Sequence, residues 1–177
     1  MKRVLFPGRF QPVHKGHQLV FERLLRDFDE VVIAVGSAQE AYTCRNPFTA
    51  GERLEMWDLV AREMGSRDRV WIVPVPDLNM PLAWTSHILG LSPRVDAVAS
   101  GNPHVQYLFK WLGVKTLEIE LVNPAEYNGT YIRRLMVENN PAWRRLVPEK
   151  VASLIDRIGG VERVRRVCEN GSGGNRW

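Results

Sequence analysis

The chain has 177 residues, of which 45% are hydrophobic and 25% are charged, and this balance excludes a disordered chain and is typical of one folded globular domain. Its 24 basic and 20 acidic residues give a formal net charge of +4, which suits phosphate ligands but does not by itself indicate nucleic-acid binding. No stretch reaches the roughly 18 apolar residues of a membrane span, and we expect no signal peptide. Two cysteines, Cys44 and Cys168, are too few for a disulfide framework, which predicts a reducing cytoplasm.

Short apolar segments alternate along the chain with longer amphipathic ones. The predicted strands are mostly β-branched and nearly continuously apolar, which is typical of strands buried on both faces. They cover residues 3–7, 30–36, 70–76, 95–100 and 115–120. Helical spacing of apolar residues predicts helices at 17–28, 53–64, 105–112, 131–139, 148–158 and 161–169.

This alternation predicts the fold class. Strands that alternate with helices form a parallel sheet through right-handed crossovers. We therefore expect an α/β, Rossmann-like fold with a parallel sheet of about five strands flanked by helices, and a helical C-terminal segment. One domain covers residues 1–169, and the Gly- and Asn-rich tail at 170–177 is expected to be disordered.

The loop after the first predicted strand carries the strongest functional signal. Gly8 allows a sharp turn or a close approach to a ligand as the chain leaves the strand. His14 and His17 then lie at a helix start and just inside it, where free amides and the helix dipole favour an anion. Arg9 adds positive charge. These residues predict a phosphate site at the end of the first strand.

Other interpretations of the two histidines stay open. A single His near a helix start is usually a surface or capping group. A His pair three residues apart can also be half of a metal site, although zinc takes three or four protein ligands and no Cys or acidic residue lies nearby in the sequence. The loop is neither a Walker loop nor the three-glycine dinucleotide fingerprint.

The whole loop has the form G-x-F-x-P-x-H-x-G-H. It resembles the signature of the HxGH nucleotidyltransferase superfamily at each of its positions: Gly8, Phe10, Pro12, His14, Gly16 and His17. Further segments at 36–39, 45–53, 100–103 and 127–134 follow in the expected order. Together they resemble the archaeal-type nicotinamide-nucleotide adenylyltransferases, from the first strand to about Val164.

The resemblance implies transfer of AMP from ATP to nicotinamide mononucleotide (NMN), which forms NAD and pyrophosphate. It implies these catalytic residues: His14, His17, Arg9, Arg45 and Arg133. It implies that ATP is bound by Gly8, Phe10, Gly16, Gly101, Asn102 and Thr130. It implies that the acceptor is bound by Ser37, Asn79 and Trp84. The resemblance also implies that Mg²⁺ is held mainly by phosphates and water and that the protein forms a homo-oligomer. We expect no nucleic-acid or membrane partner.

Local sequence supports several of these roles. Asn102 followed by Pro103 predicts a helix N-cap with proline at the first helical position. Thr130 is expected to cap the next helix, which places Arg133 in its first turn. Trp84 suits stacking on a flat cationic heterocycle, although a lone tryptophan is more often a core residue.

The chain departs from the family pattern at two positions. Asn128 stands where the family usually has Ser, and Pro81 stands where it usually has Asn, so Asn79 is the candidate substitute for that Asn.

Two alternatives for the function stay open. The acceptor could be phosphopantetheine or FMN, or the donor CTP, although Trp84 and residues 45–53 argue against these. A non-catalytic nucleotide sensor or RNA-binding module would share the fold, but the intact histidine pair disfavours it. The arginine-rich stretch 157–166 is interpreted as a solvated helix face, because no aromatic residues for base stacking are interleaved.

Overall fold

The computed structural model describes residues 1–120 and 122–169, so the predicted disordered tail at 170–177 lies outside the described residues. The strands are β1 (Arg3–Gly8), β2 (Glu30–Val35), β3 (Val70–Pro74), β4 (Ala97–Ser100) and β5 (Thr116–Glu118). The helices are α1 (Lys15–Asp27), α2 (Ala50–Glu63), α3 (Pro81–Leu91), α4 (Pro103–Trp111), α5 (Gly129–Val137), α6 (Glu149–Arg157) and α7 (Gly160–Glu169). Two 3-10 turns cover Arg67–Arg69 and Pro141–Leu146.

The strands form one parallel sheet in the order β3-β2-β1-β4-β5, which confirms the predicted α/β, Rossmann-like fold. Strand β1 is central, and its Leu5 pairs with Val32 of β2 on one side and with Val98 of β4 on the other. The strand order reverses between β1 and β4. A crevice therefore opens at the carboxyl ends of these two strands, which is where ligands bind in such sheets.

Both faces of the sheet are covered, which explains why the strands are apolar without alternation. On one face, Phe6 and Ile33 pack in a large core with the fully buried Trp57 of α2. On the other face, Leu5 and its neighbours pack in a smaller core with side chains of α3 and α4. These two cores hold the strand ends in place and so fix the loops that follow them.

Helix α3 is not predicted by the sequence patterns. Helix α3 has apolar residues on most of its sides, so it lacks the 3.6-residue apolar spacing by which a half-buried helix is recognised. Pro81 stands in its first turn, a position where the missing backbone N–H costs nothing. Among residues 1–120 and 122–169, no helix has the length and apolarity that crossing a membrane requires.

The two cysteines, too few in the sequence for a disulfide framework, are nevertheless paired in the structure. Cys44, in the loop before α2, forms a disulfide with Cys168 in α7, 124 residues later. The fold brings these residues together through contacts of α5, α6 and α7, and two isolated cysteines give no spacing signal that could reveal this. Because disulfides persist in oxidising compartments and also inside hyperthermophilic cells, the cysteines do not support a reducing cytoplasm.

Candidate active site

A cavity of about 730 Å³ lies at the carboxyl end of β1, between the loop that follows this strand and the start of α5. Three arginines line it, Arg9, Arg133 and Arg134, together with His14 and His17. None of its described lining residues is acidic. The cavity is therefore cationic, and its volume is within the range of small-molecule sites, about 300–1,000 Å³.

The two histidines are locked to each other at the start of α1. His14 is the N-cap, and its Nδ1 accepts a hydrogen bond from the backbone N–H of His17 at 3.3 Å. The Nδ1 of His17 accepts one from the backbone N–H of His14 at 3.2 Å, and the rings stack with centroids 3.4 Å apart. Because each Nδ1 accepts, a neutral ring carries its proton on Nε2. Each Nε2–H is then left to donate to a ligand.

Burial keeps both rings neutral. It lowers the pKa of His14 to about 3, and burial together with the adjacent His14 lowers the pKa of His17 well below its ordinary value. At neutral pH the histidines are thus hydrogen-bond donors and not cations. The positive charge of the cavity comes from its arginines.

Arg133 is buried in the first turns of α5 and spans three segments of the chain. Its Nε donates to the carbonyl of Cys44 at 3.0 Å and its Nη1 to the carbonyl of Gln11 at 2.7 Å, while Nη2 lies 3.4 Å from Oγ1 of Thr130. Burial, with Arg9 and Arg45 nearby, lowers its pKa to about 10, so it stays charged at neutral pH. A buried charge without a carboxylate partner favours an anionic ligand.

Arg9 and Arg45 are exposed, and the positive charge of each lowers the pKa of the nearby Arg133. The pKa of Arg9 is lowered by partial burial and by Arg45, against which Asp77 and Glu40 act in the opposite direction. Within the described residues, Arg45 makes no hydrogen bond or ion pair. Its guanidinium is therefore available for a ligand near the cavity.

A second cavity of about 270 Å³ adjoins the first across the histidine pair and is mostly apolar, with Ile119 and Val122 in its lining. Gly8, Gly16 and Gly101 also line it. A Cβ at Gly8 would lie 2.6 Å from the ring of Phe10, and one at Gly16 would lie 2.8 Å from Cβ of Tyr127. These two glycines thus allow the loop to pack closely beside both cavities.

Trp84 lies in the first turn of α3, where its ring packs edge-on against Phe109 with centroids 6.0 Å apart. It also lines a cavity of about 210 Å³ together with Asp77 and His104. Its Nε1–H is buried without a hydrogen-bond partner in the described residues. Trp84 is therefore partly a packing residue and partly the wall of a small pocket.

Comparison with known proteins agrees with this geometry. The model of the cytidylyltransferase-like family matches residues 5–135. A nicotinamide-nucleotide adenylyltransferase of Methanothrix thermoacetophila is 43% identical over 169 residues, which cover 96% of this chain and 98% of the relative. Those of Archaeoglobus fulgidus and Pyrobaculum neutrophilum are 42% and 40% identical, and cover 93% and 100% of this chain and 97% and 100% of the relatives.

The chain belongs to the nicotinamide-nucleotide adenylyltransferase family. The family resemblance expected from the sequence motifs is thereby confirmed. A bifunctional NMN adenylyltransferase/ADP ribose pyrophosphatase of Francisella tularensis, solved with AMP and a manganese ion, shares the fold with a TM-score of 0.76 at 20% identity. That match covers 97% of this chain and 53% of the other, so this chain spans about half of the bifunctional protein.

Several residues that the family resemblance singles out meet in the structure. Arg9, Phe10, His14, His17, Thr130 and Arg133 all line the cationic cavity. Asn102 is the N-cap of α4 as predicted, and its Oδ1 accepts from the N–H of His104 at 2.9 Å. Gly101 lines the adjoining apolar cavity.

The structure corrects the capping prediction for Thr130 and shows where two acceptor-binding candidates, Ser37 and Asn79, lie. The cap of α5 is Asn128, whose Oδ1 accepts from the N–H of Tyr131 at 2.7 Å, and Thr130 is the second residue of the helix. The Oγ of Ser37 donates to Oδ2 of Asp77 at 2.6 Å and so is already used within the fold. Asn79 is exposed and is not among the residues that line the pocket beside Trp84.

Two buried polar residues of the site were missed. The side chain of Gln11 exchanges two hydrogen bonds with the backbone of Phe48, at 2.8 and 2.9 Å, and so fixes the loop on which Arg133 rests. Nothing in the sequence marks it. Arg53 is fully buried and shares a helical stripe, at three- and four-residue spacing, with the buried Met56 and Trp57. A charged residue in an apolar stripe is the signal that could have revealed it.

Proposed function

We propose that this chain transfers the AMP unit of ATP to NMN, forming NAD and pyrophosphate, with the chemistry at the cationic cavity. An oxygen of the acceptor's 5′-phosphate attacks the α-phosphorus of ATP in line, the bond to the bridging oxygen breaks, and pyrophosphate leaves. No protein nucleophile is needed, so positioning and charge stabilisation dominate. The observation that carries the proposal is the stacked pair His14 and His17, which line a cavity together with three arginines and with no acidic residue among its described lining residues.

The two histidines and the arginines at positions 9, 45 and 133 have distinct roles in this proposal. The Nε2–H groups of His14 and His17 donate to phosphate oxygens and stabilise the charge that builds as the bond to pyrophosphate breaks. Arg133 neutralises a phosphate from within the protein. Arg9 and Arg45, at the exposed side, hold the rest of the triphosphate and the acceptor phosphate through paired hydrogen bonds.

The two smaller cavities suit the two heterocycles. The apolar cavity beside Gly101 and Asn102 suits the adenosine of ATP, since it adjoins the cationic cavity across the histidine pair. The pocket beside Trp84 suits the nicotinamide ring, because a cationic ring stacks favourably on an indole face. Ser37 then acts by holding Asp77, which lines that pocket, rather than by touching the acceptor.

A divalent cation fits this site only as part of the nucleotide complex. Within the described residues, no group of three or more His, Cys, Asp or Glu side chains is arranged to hold a metal ion. Mg²⁺ would therefore be held by phosphate oxygens and water, where it neutralises part of the triphosphate charge. The arginines of the cavity supply the remaining positive charge.

The deciding experiment is pyrophosphate release from ATP and NMN. We expect release with this pair and little with phosphopantetheine or FMN as acceptor, or with CTP as donor. The His14→Ala/His17→Ala double variant is the control for contaminating activity. Release with another pair but not with ATP and NMN would reassign the substrates, and no release with any pair would favour a nucleotide sensor. The homo-oligomer stays a prediction, which light scattering tests.

A further inference from the structure

Arg53 lies in the first turn of α2, and its side chain has no exposed surface. Its guanidinium donates to four backbone carbonyls. Nη1 donates to Arg9 at 2.8 Å and to Gly36 at 2.6 Å, Nη2 donates to Ser37 at 3.0 Å, and Nε donates to Thr49 at 3.2 Å. These carbonyls belong to the loop after β1, the chain leaving β2, and the N-cap of α2. One side chain thus ties three segments of the site together.

This arrangement costs free energy that an apolar residue would not cost. Burial lowers the pKa of Arg53 to about 10, so the group is still charged at neutral pH. Within the described residues it has no hydrogen bond to a carboxylate; its partners are all carbonyls. Replacing a buried charge by a packed apolar side chain is often neutral or stabilising. Stability alone therefore does not explain an arginine in the stripe of Met56 and Trp57.

The position of Arg53 beside the candidate site explains the presence of a buried arginine better than stability does. The carbonyl of Arg9 is fixed by Arg53 from the protein side, while the Arg9 side chain stands at the cationic cavity. Ser37, with φ of 49° in the left-handed region, is held at its carbonyl by Arg53 and at its N–H and Oγ by Asp77. A strained residue keeps such a conformation only when its surroundings over-determine it.

We infer that Arg53 is a positioning residue that fixes the backbone of Arg9 and of residues 36–37, so that the Arg9 guanidinium stands at the phosphate cavity before the nucleotide binds. Groups that are held in place in advance lose little entropy on binding and need no rearrangement during the reaction. The inference rests on the proposed function in one respect, because it takes the cationic cavity as the site of the ATP phosphates.

The substitution Arg53→Lys distinguishes this positioning role from a general need for positive charge at residue 53. Its ammonium group has three donors on one nitrogen and cannot span carbonyls that a planar guanidinium reaches at both ends. We expect Arg53→Lys to weaken ATP binding by about tenfold or more, measured by calorimetry on the full chain. Arg62→Lys is the matched control, because Arg62 lies near the other end of α2, is exposed and pairs with Asp58. It should leave ATP affinity unchanged.

A double-mutant cycle tests whether Arg53 acts through Arg9. ATP affinity is measured for the natural chain, Arg9→Ala, Arg53→Lys and the double variant, with thermal unfolding of each protein in the absence of nucleotide. If Arg53 positions Arg9, the tenfold loss should shrink to less than about twofold once the Arg9 side chain is gone, because the two residues act as one unit. An independent structural role would give the same loss in both backgrounds and would overturn the inference.

The remaining outcomes are also decisive. Unchanged ATP affinity in Arg53→Lys would overturn the inference directly. If Arg53→Lys does not fold, Arg53→Gln replaces it in the same cycle, and failure of both to fold would make Arg53 a general stability element. Should the natural chain bind ATP yet release no pyrophosphate with NMN, the proposed function fails while the cycle still decides the role of Arg53. Absence of ATP binding by the natural chain would overturn both.

Discussion

Arg133 donates a hydrogen bond from Nε to the backbone carbonyl of Cys44, 3.0 Å away and 89 residues earlier in the chain. Cys44 is itself joined to Cys168 of α7, so a buried arginine of the cationic cavity rests on a loop that is covalently tied to the C-terminal helix. The next residue along the chain is Arg45, whose guanidinium makes no hydrogen bond or ion pair within the described residues. The disulfide therefore bears on the site as well as on stability.

We expect the Cys44→Ser/Cys168→Ser double variant to lose about 2–5 kcal/mol of unfolding free energy, because the disulfide closes a long loop of the unfolded chain. Urea unfolding of both proteins measures the difference. Adding dithiothreitol should bring the natural chain to the stability of the variant and leave the variant unchanged. Equal stability of the oxidised natural chain and the variant would contradict a formed disulfide in solution.

His17→Ala is expected to lower turnover about 100- to 1,000-fold, the usual loss when one preorganised donor to developing charge is removed. NMN affinity should change little, since the ring faces the cationic cavity and not the pocket beside Trp84. Steady-state kinetics and calorimetry with NMN separate these effects. Turnover close to that of the natural chain would remove His17 from the catalytic set.

The sequence alone is sufficient to predict the parts of the fold and of this site that depend on local chemistry. The first loop, the N-cap His14 and the parallel sheet follow from residue types at fixed spacing. Long-range contacts could not be predicted, because Arg53, Gln11 and Cys44 take their roles from segments up to 124 residues away. The missed helix α3 has the same cause, since its structure depends on packing rather than on periodicity.

Arg133→Lys should lower catalytic efficiency by about tenfold or more, which corresponds to about 1.4 kcal/mol of transition-state binding. Lysine keeps the charge but cannot hold the carbonyls of Cys44 and Gln11 while also facing a phosphate. Arg157→Lys is the control, because Arg157 is exposed on α6 and pairs with Glu55. Small and equal effects at both positions would mean that Arg133 contributes only general charge.

Trp84→Ala is expected to weaken NMN binding by about 1–3 kcal/mol, by analogy with bases stacked on aromatic side chains, with ATP affinity nearly unchanged. Trp84→Phe should restore part of the loss, because it keeps an aromatic face beside Phe109. Trp111→Ala, which removes an exposed indole from α4, is the control. Calorimetry that gives equal losses for ATP and NMN would show that Trp84 serves the core alone.

The neutrality of His14 in the fold predicts a loss of stability in mild acid. Its pKa is lowered by burial from 6.5 to about 3, so between these values the unfolded chain binds a proton that the folded chain does not. Stability therefore falls as the pH falls through this window, by about 2 kcal/mol between pH 7 and pH 5 for this one group. His17 acts in the same direction.

Urea unfolding at pH 7 and pH 5 measures this loss of stability. The variant His14→Asn, which keeps a side-chain acceptor at the N-cap, should reduce the loss. An equal loss in the variant would mean that other groups cause the acid sensitivity and that His14 is not held neutral.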